Sequence, residues 1–416
     1  GSGTGEDKFL YVASNSTCDN VFEPEFSSMA EVIITITAAP QNSETSNIYI
    51  AGSYTTSVDM FGCVFTDKDG DGKWETNHLP NSMEAKDLEM YNGQLHVVGS
   101  GGPAGDDAVL WIDGVPTVLD YPTSNKSWGY AGATGVAIDE SNGDVYISGF
   151  YAPKDGWIGS CYWKNGVFKP LTINADSEAF DIAVRNGKAI AVGWYMHHHN
   201  IYAAKWIDGV RTKIHSSGDA EAYEVMVVDN KTYISGWAGT NFNANNWRAA
   251  IWEGNSAKNA KRLKNGKDAV LMDQSGWPYD GQGRGMGYDK VNNKFWIAGW
   301  TNWVNIGNWP NVWKVTPGGG NVVYDLLEEP DGSKPGCQVD NVGDLIPGGI
   351  CEFGEVLDIA VHDGKTYAVG MTTGDIPPAT MWNPISMIWI NGVKHPLRDH
   401  AGDGQLSEAH QIIIVE

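Results

Sequence analysis

The sequence predicts an all-β protein, a β-propeller built of four-stranded antiparallel blades, and three observations lead to this fold class. The 416 residues include 51 Gly, 18 Trp and 17 Tyr, a composition typical of tight turns and short aromatic-rich strands. A pattern of roughly 45 residues with four strand signals recurs along the chain. Turn dipeptides and single glycines stand at fixed places in each copy, which is typical of propeller blades.

The clearest copy of the repeat begins at Phe180 and ends at Ile214. In it, strand A is apolar, strand B ends in a single Gly, strand C carries a Trp, and strand D ends in Leu or Ile. The strand B Gly recurs as Gly52, Gly99, Gly149, Gly193, Gly236, Gly299 and Gly370. The strand C Trp recurs as Trp111, Trp163, Trp206, Trp252, Trp313 and Trp389. Strands C and D are joined by Asp113-Gly114, Asn165-Gly166, Asp208-Gly209 and Asn391-Gly392, dipeptides that favour type I′ hairpin turns.

The number of blades depends on the two ends of the chain. Seven copies begin near Glu31, Ala85, Thr134, Ala179, Ala222, Gly285 and Val356. The stretch from His410 to Val415 matches strand A, and the stretch from Lys8 to Ser14 matches strand B. Pairing these two stretches would close the ring and remove its open edges. The sequence therefore predicts eight blades, with a seven-bladed disc as the alternative, in one domain over 8–416 after a flexible linker over 1–7.

The strand order and the Gly that closes strand B resemble kelch-type propellers. The run Ala203-Ala-Lys-Trp-Ile-Asp-Gly209 resembles the Ala-x-x-Trp-x-x-Gly pattern of bacterial extracellular propeller repeats. The resemblance covers nearly all of the chain. It implies a fold and no particular activity, because kelch-type propellers include both binding proteins and an oxidase.

Charge and cysteine content narrow the class of partner and the compartment. The net charge of −23 disfavours nucleic acids and anionic membranes as partners. No apolar stretch is long enough to span a bilayer. Cys337 and Cys351 lie in one Gly/Pro-rich segment, where a disulfide would require an oxidising compartment, whereas Cys161 lies in a strand and is expected to be a buried free thiol. The sequence predicts a monomeric, extracytoplasmic bacterial protein, with the Gly-rich start as a possible lipid-anchored tether.

Long connections are expected on the face of the disc where strand A begins, here named the top face. Insertions at 120–131, 264–282 and 328–354 and the loops between strands B and C meet there. The candidate ligand-binding residues in these loops are Trp157, Trp194, Tyr195, His197, His198, His199, Trp237, Trp247, Trp300, Trp303, Trp309 and Trp382. Aromatic faces stack on sugar rings, and polar groups bond their hydroxyls. The alternative is that these aromatic side chains pack between blades.

A Glu recurs just before strand A. Its copies are Glu84, Glu178, Glu221, Glu355 and Glu408. The shared phase predicts a partial ring of carboxylates at the upper mouth of the channel, where they would raise one another's pKa or attract a cation or amine. The alternative is that each Glu caps the backbone of a neighbouring blade, as a repeated architectural contact.

Other motifs carry less information. The run Asp67-Lys-Asp69-Gly-Asp71-Gly matches the first half of a calcium-binding loop, but its twelfth position is His78 instead of Glu. Ca²⁺ is therefore the only cofactor that the sequence suggests. Three adjacent histidines rarely converge on one ion. No Gly-x-Ser-x-Gly elbow occurs, and no catalytic residue is assigned.

These observations leave three hypotheses for function. The first is a secreted or surface-anchored protein that binds a glycan or similar polar ligand on the top face. The second is a scaffold for protein–protein contacts with an envelope protein, using the same face. The third is a glycan hydrolase or lyase that uses Glu and His side chains of that face.

Overall fold

A computed structural model shows seven four-stranded antiparallel sheets among the residues that it describes. The described residues are 47–56, 59–68, 72–102, 105, 107–122, 129–153, 157–172, 175–215, 218–239, 247–254, 261–262, 264–265, 267–268, 280–302, 308–316, 323–326, 354–373, 384–397 and 406–415. These residues form strands and turns. Among them there is no helix that is long and apolar enough to cross a membrane.

Each sheet is one blade, and its strands run in order from the centre of the ring outward. Blade 1 contains β30 (Ser407–Val415), β1 (Asn47–Thr55), β2 (Met60–Asp67) and β3 (Glu75–His78). Blade 2 contains β4 (Ser82–Tyr91), β5 (Gln94–Gly101), β6 (Asp107–Ile112) and β7 (Val115–Val118). Blade 3 contains β8 (Tyr130–Asp139), β9 (Asp144–Ala152), β10 (Gly159–Lys164) and β11 (Val167–Pro170). Blade 4 contains β12 (Ser177–Arg185), β13 (Lys188–His197), β14 (Asn200–Ile207) and β15 (Val210–Lys213).

The remaining blades follow the same plan. Blade 5 contains β16 (Ala220–Val228), β17 (Lys231–Gly239), β18 (Trp247–Glu253) and β19 (Lys261–Arg262). A separate pair, β20 (Lys264–Asn265) and β21 (Lys267–Asp268), follows in the insertion over 264–282. Blade 6 contains β22 (Asp280–Asp289), β23 (Lys294–Asn302), β24 (Asn308–Val315) and β25 (Val323–Leu326). Blade 7 contains β26 (Gly354–His362), β27 (Lys365–Thr372), β28 (Ile385–Ile390) and β29 (Val393–Pro396).

The inner strands contact one another in a closed ring, β30, β4, β8, β12, β16, β22 and β26, around the central channel of a propeller. The β-propeller fold is thus confirmed, with the seven blades of the alternative prediction. The C-terminal strand closes the ring, but its partner is β1 and not the stretch from Lys8 to Ser14. In blade 1, β30 takes the strand A position that the sequence assigned to the stretch beginning at Glu31. Both N-terminal stretches lie outside the described residues.

Short-range turn chemistry and buried tryptophans shape each blade. Asp113, Asn165, Asp208 and Asn391 all have positive φ, as the type I′ turns predicted between strands C and D require. The strand C tryptophans of six blades are almost fully buried, and Phe65 takes their place in blade 1. Large aromatic side chains between sheets supply most of the apolar surface that each pair of blades buries. Cys161, also in a strand C, is a buried free thiol as predicted.

A β-bulge in strand A explains the recurring Gly at the end of strand B. In blade 4 the pairing shifts between Ala179 and Asp181, so that Phe180 has no partner on β13. The bulge brings the two backbones so close that a Cβ at Gly193 would lie 2.0 Å from the carbonyl oxygen of Glu178. Only glycine fits at such a distance. The bulge recurs in all seven blades, and with it the glycine.

Candidate functional site

The recurring Glu lies at one equivalent position on the inner strands of five blades, next to the bulge. Each residue of this set is paired with the residue that follows the strand B Gly, as Glu178 is with Trp194. We name the set the mouth ring; from blade 1 to blade 7 it consists of Glu408, Glu84, Gly132, Glu178, Glu221, Gln282 and Glu355. Because these strands begin at the top face, the mouth ring lines the upper end of the channel.

A second set of side chains comes from the bulges themselves. We name it the bulge ring; it consists of His410, Lys86, Thr134, Phe180, Tyr223, Arg284 and Leu357. All seven residues are half-buried. A bulge re-aims a side chain out of the regular alternation of a strand. Sequence reasoning missed these residues as a group, although the strand B Gly was a signal for the bulge that presents them.

Blades 5 and 6 join the two rings in a hydrogen-bonded network. The Tyr223 hydroxyl lies 2.6 Å from Glu221 Oε2 and 2.9 Å from Gln282 Oε1. Trp237 Nε1 donates to the same Glu221 oxygen at 3.1 Å. The Arg284 guanidinium lies 4.0 Å above the centre of the Tyr223 ring. Burial raises the pKa of Tyr223 well above its usual range, so the hydroxyl keeps its proton and can donate it in a hydrogen bond.

Glu178 on blade 4 is held differently. Trp194 Nε1 donates a long hydrogen bond of 3.4 Å to Glu178 Oε2. Burial raises the pKa of Glu178, and the nearby Glu221 carboxylate adds to the rise. Within the described part of the chain, neither Glu178 nor Glu221 forms an ion pair. This side of the mouth therefore presents two uncompensated carboxylates beside indole rings.

The opposite side of the mouth carries balanced charge. On blades 1 and 2, the Lys86 ammonium contacts Glu84, and His410 Nε2 lies 3.1 Å from Glu84 Oε1. Burial alone would raise the pKa of Glu84, but the contacts with His410 and Lys86 outweigh it and lower the pKa to about 2. On blades 6 and 7, Arg284 lies 4.0 Å from Glu355.

A set of acidic residues lies deeper in the channel, three residues after the mouth ring. We name Asp87, Asp181, Glu224 and Asp358 the lower acids. Asp181 Oδ2 accepts the backbone N–H of Val225 in the next blade at 2.7 Å, and Asp181 Oδ1 accepts that of Ile182 at 2.7 Å. The other three also accept a backbone N–H from the next blade: Asp87 from Val136, Glu224 from Met286, and Asp358 from Ile412. Capping of a neighbouring blade, considered for the recurring Glu, is performed by the lower acids.

Burial is the main cause of the raised pKa values of the lower acids. Burial raises the pKa of Asp181 to about 7, against the opposing effect of its backbone hydrogen bonds. Burial also raises the pKa of Asp358 to about 6, and it raises those of Asp87 and Glu224 well above their usual range. The charge of Asp181 adds to the rise of the pKa of Asp87, and the charge of Asp358 adds to the rise at Asp181 and Glu224. A hydrogen bond with Glu224 lowers the pKa of Asp358, against the effect of burial.

The aromatic residues predicted for the top face lie at very different depths. Trp157 is 62% exposed, whereas Trp237 and Trp300 are only 4% and 6% exposed. Trp194 is half-buried, and Tyr195 is buried beneath the Arg211 guanidinium, 3.8 Å from its ring centre. Trp247 and Trp309 belong to β18 and β24, and Trp303 and Trp382 lie outside the described residues.

The three histidines lie at the tip of a hairpin. His197 pairs with Asn200, and His198 and His199 form the turn between them with φ of 51° and 65°. All three side chains are exposed. The sequence placed them in a longer loop; strands β13 and β14 instead extend up to the turn.

Two further predictions fall largely outside the described residues. Asp69 and Asp71 of the calcium-loop motif are not described, and Asp67 Oδ2 accepts the backbone N–H of Gly72 at 3.1 Å. Cys337 and Cys351 both lie outside the described residues. The calcium site and the disulfide stay predictions.

Fold and site together define a seven-bladed β-propeller with a polar, half-buried channel mouth. No protein-family model matches the chain, and neither does any curated protein. Among solved structures, it is similar to a polysaccharide lyase of family PL25, an ulvan lyase, with 10% identity and a TM-score of 0.50 over 85% of this chain and 92% of that chain.

Two further solved structures are similar to the chain in fold at low sequence identity. One is the periplasmic gluconolactonase PpgL of Pseudomonas aeruginosa, with 8% identity and a TM-score of 0.45 over 89% of this chain and 99% of that chain. The other is TolB of Acinetobacter baumannii, with 8% identity and a TM-score of 0.36 over 66% of this chain and 62% of that chain. The present chain thus matches less than two thirds of TolB. Likeness at these identities shows the propeller fold alone.

Proposed function

We propose that this protein is an extracytoplasmic binding protein that holds a glycan or similar polar ligand at the channel mouth. The observation that carries the proposal is the pairing of an uncompensated carboxylate with an indole on two adjacent blades, Glu178 with Trp194 and Glu221 with Trp237. Carboxylates accept hydrogen bonds from two sugar hydroxyls at once, and indole edges and faces pack against the sugar ring. Tyr223 and Gln282 extend the same polar wall onto blade 6.

The degree of burial supports a ligand site in this place. Trp237 and Trp300 are too enclosed to stack on a sugar over their whole face, so they act as the floor of the site. Trp194, Glu178 and Glu221 are half-buried and remain accessible from the channel. Few polar groups that converge at a partly enclosed surface are typical of small-ligand sites.

A glycan-array screen of the purified protein tests the proposal, followed by calorimetry on the saccharides that bind. We expect Glu178→Gln and Glu221→Gln to weaken binding by about tenfold or more, since each removes one hydrogen-bond acceptor facing the ligand. Glu75→Gln, on the exposed outer strand β3, is the matched control and should bind as the wild type does. An array without a specific saccharide, or hits unaffected by either variant, would overturn the proposal and favour a protein partner for this face.

Hydrolysis is a second candidate, and one observation favours it. The pKa of Glu178 is raised, while neighbouring Glu221 accepts hydrogen bonds from Tyr223 and Trp237. Two carboxyl groups held in different environments can divide the roles of acid and base. Incubation of a bound saccharide with the wild type and with Glu178→Gln distinguishes the two functions. A hydrolase cleaves it only with Glu178 intact, whereas a binding protein releases no product in either case.

A further inference from the structure

Blades 1 and 2 bring together one imidazole and two carboxylates at the channel mouth. Single donor atoms of Glu84, Glu408 and His410 all lie within 4.8 Å of one another, and among the described residues no other group of three acidic, His or Cys side chains does so. Glu84 and Glu408 belong to the mouth ring, and His410 belongs to the bulge ring. We propose that these three residues bind a divalent first-row transition metal ion, with Zn²⁺ as the reference ion.

The spacing of the donor atoms agrees with a coordination sphere. His410 Nε2 lies 3.1 Å from Glu84 Oε1 and 3.6 Å from Glu408 Oε2. Ligand atoms about 2.0 to 2.2 Å from a zinc ion are about 3 to 3.6 Å from one another, for angles between octahedral and tetrahedral. A single ion can therefore contact all three donors after small side-chain rotations.

The buried imidazole is the second observation that points to a ligand. The His410 side chain is only 10% exposed, and its Nε2 atom makes no aligned hydrogen bond among the described residues, although it is directed at the two carboxylates. A buried polar nitrogen without a well-formed hydrogen bond is unfavourable and rare in folded proteins. Coordination of a metal ion would satisfy this nitrogen and both carboxylates together.

The donor set favours one class of metal. Calcium and magnesium are bound by oxygen ligands, whereas a mixed imidazole and carboxylate set suits zinc and its neighbours in the first transition row. Three protein ligands leave at least one coordination position, which here faces the channel. An ion at this place would present a Lewis acid to whatever ligand occupies the mouth.

Lys86 provides a test of the proposal, because its ammonium contacts the Glu84 carboxylate that would bind the metal ion. In a purely structural cluster Lys86 stabilises the carboxylates, so its removal would weaken the cluster. At a metal site the ammonium competes with the ion for Glu84, and its positive charge repels the ion. The substitution Lys86→Met is therefore expected to raise the zinc affinity of a metal site, although it removes one contact of Glu84 in the metal-free protein.

The experiment is calorimetric titration of the metal-free full chain with ZnCl₂. All variants are made in a His197→Ser/His198→Asn/His199→Gly background, which removes the exposed imidazoles that would bind zinc on their own. Asn-Gly suits the positive φ of that turn, so the hairpin is kept. Melting curves without metal verify that each variant is folded.

We expect one zinc ion per chain, and affinity about tenfold or more lower in His410→Gln and in Glu408→Gln. Lys86→Met should bind zinc more tightly than the parent. Glu355→Gln is the matched control: it removes a mouth-ring carboxylate that contacts Arg284 and should leave the zinc affinity unchanged. No stoichiometric binding, binding that survives both His410→Gln and Glu408→Gln, or weaker binding in Lys86→Met would each overturn the proposal. If His410→Gln does not fold, Glu408→Gln decides, since its side chain is 33% exposed.

Discussion

On blades 2, 4, 5 and 7 the mouth ring and the lower acids carry the same chemical group three residues apart, yet the two groups make different contacts. The lower acids each accept a backbone N–H from the next blade, so their oxygens are used by the fold. The mouth carboxylates Glu178 and Glu221 accept hydrogen bonds from side chains, and among the described residues neither forms an ion pair. The bulge lies between the mouth ring and the lower acids, and it changes the direction of the strand and of its side chains. The two sets of carboxyl groups therefore have different surroundings. Residue type alone therefore does not tell an architectural carboxylate from one that can bind a ligand.

The largest expected effect comes from removing a lower acid. Asp358→Ala leaves the buried N–H of Ile412 without its acceptor and weakens the junction of blade 7 with β30. We expect a loss of about 2 to 4 kcal/mol in the free energy of unfolding. Glu355→Ala, three residues earlier, should cost less than about 1 kcal/mol, as expected for a half-exposed ion pair. Urea unfolding of both variants measures the difference in the free energy of unfolding. Equal losses would contradict the conclusion that only the lower acids stabilise the junctions between blades.

A comparable effect is expected from pH. The pKa values of Asp181, about 7, and Asp358, about 6, are raised in the folded protein. Between about pH 4 and these values, both groups are protonated in the folded protein but ionised in the unfolded chain. Stability is therefore highest below the unfolded pKa of about 4, falls as the pH rises through the folded values, and levels off above them. We expect a decrease on the order of 5 kcal/mol between pH 4.5 and pH 8, because each group contributes about 1.4 kcal/mol for each pH unit up to its folded pKa. Melting curves across this range measure it.

The variant Asp181→Asn should reduce this pH dependence, because it removes one of the titrating groups. A wild-type stability that rises between pH 4.5 and pH 8 would contradict the burial of these acids in the folded state. Glu84 acts in the opposite direction. Its lowered pKa, about 2, stabilises the fold above pH 4.5, and this contribution is lost only as the pH falls towards 2.

The smallest effect is expected at the mouth ring. Glu178→Gln removes a carboxylate whose pKa is raised by burial, so at pH 8 the substitution should leave stability unchanged or increase it by less than about 1 kcal/mol. Asp181→Asn is the matched change in the lower tier and should destabilise the protein, since an amide offers one acceptor oxygen where two backbone N–H groups bind. Thermal melts at pH 8 compare the two; a Glu178→Gln variant that loses more than Asp181→Asn would show that the mouth carboxylate is structural.

Local chemistry made much of this fold predictable. The turn at Asp208-Gly209 follows from the tolerance of these two residue types for positive φ. Trp206 is a large apolar side chain, so its burial between sheets follows from its size. The blade count was not determined by local patterns, because the stretch beginning at Glu31 and the stretch Ser407–Val415 both have the pattern of strand A. Only one of them can pair with β1, and that choice is made by contacts between distant parts of the chain.

The candidate site was predictable in part for the same reason. The phase of the recurring Glu correctly placed five carboxylates at one level of the ring. The bulge ring was not predicted, because a bulge changes the alternation on which strand patterns depend. Tyr223, Arg284 and His410 therefore read as ordinary strand residues until the pairing of strands A and B is known.

The closure of blade 1 also bears on how the protein is made. Translation delivers β1, β2 and β3 early, but β30, the strand that covers the inner edge of β1, is synthesised after all the other described strands. Until then no other described strand is paired with that edge, and unpaired strand edges favour association with other chains. Loss of the stretch Ser407–Val415 by cleavage would recreate the same edge in the finished protein. Closure of blade 1 by β30 thus covers a strand edge that would otherwise be open to association with other chains.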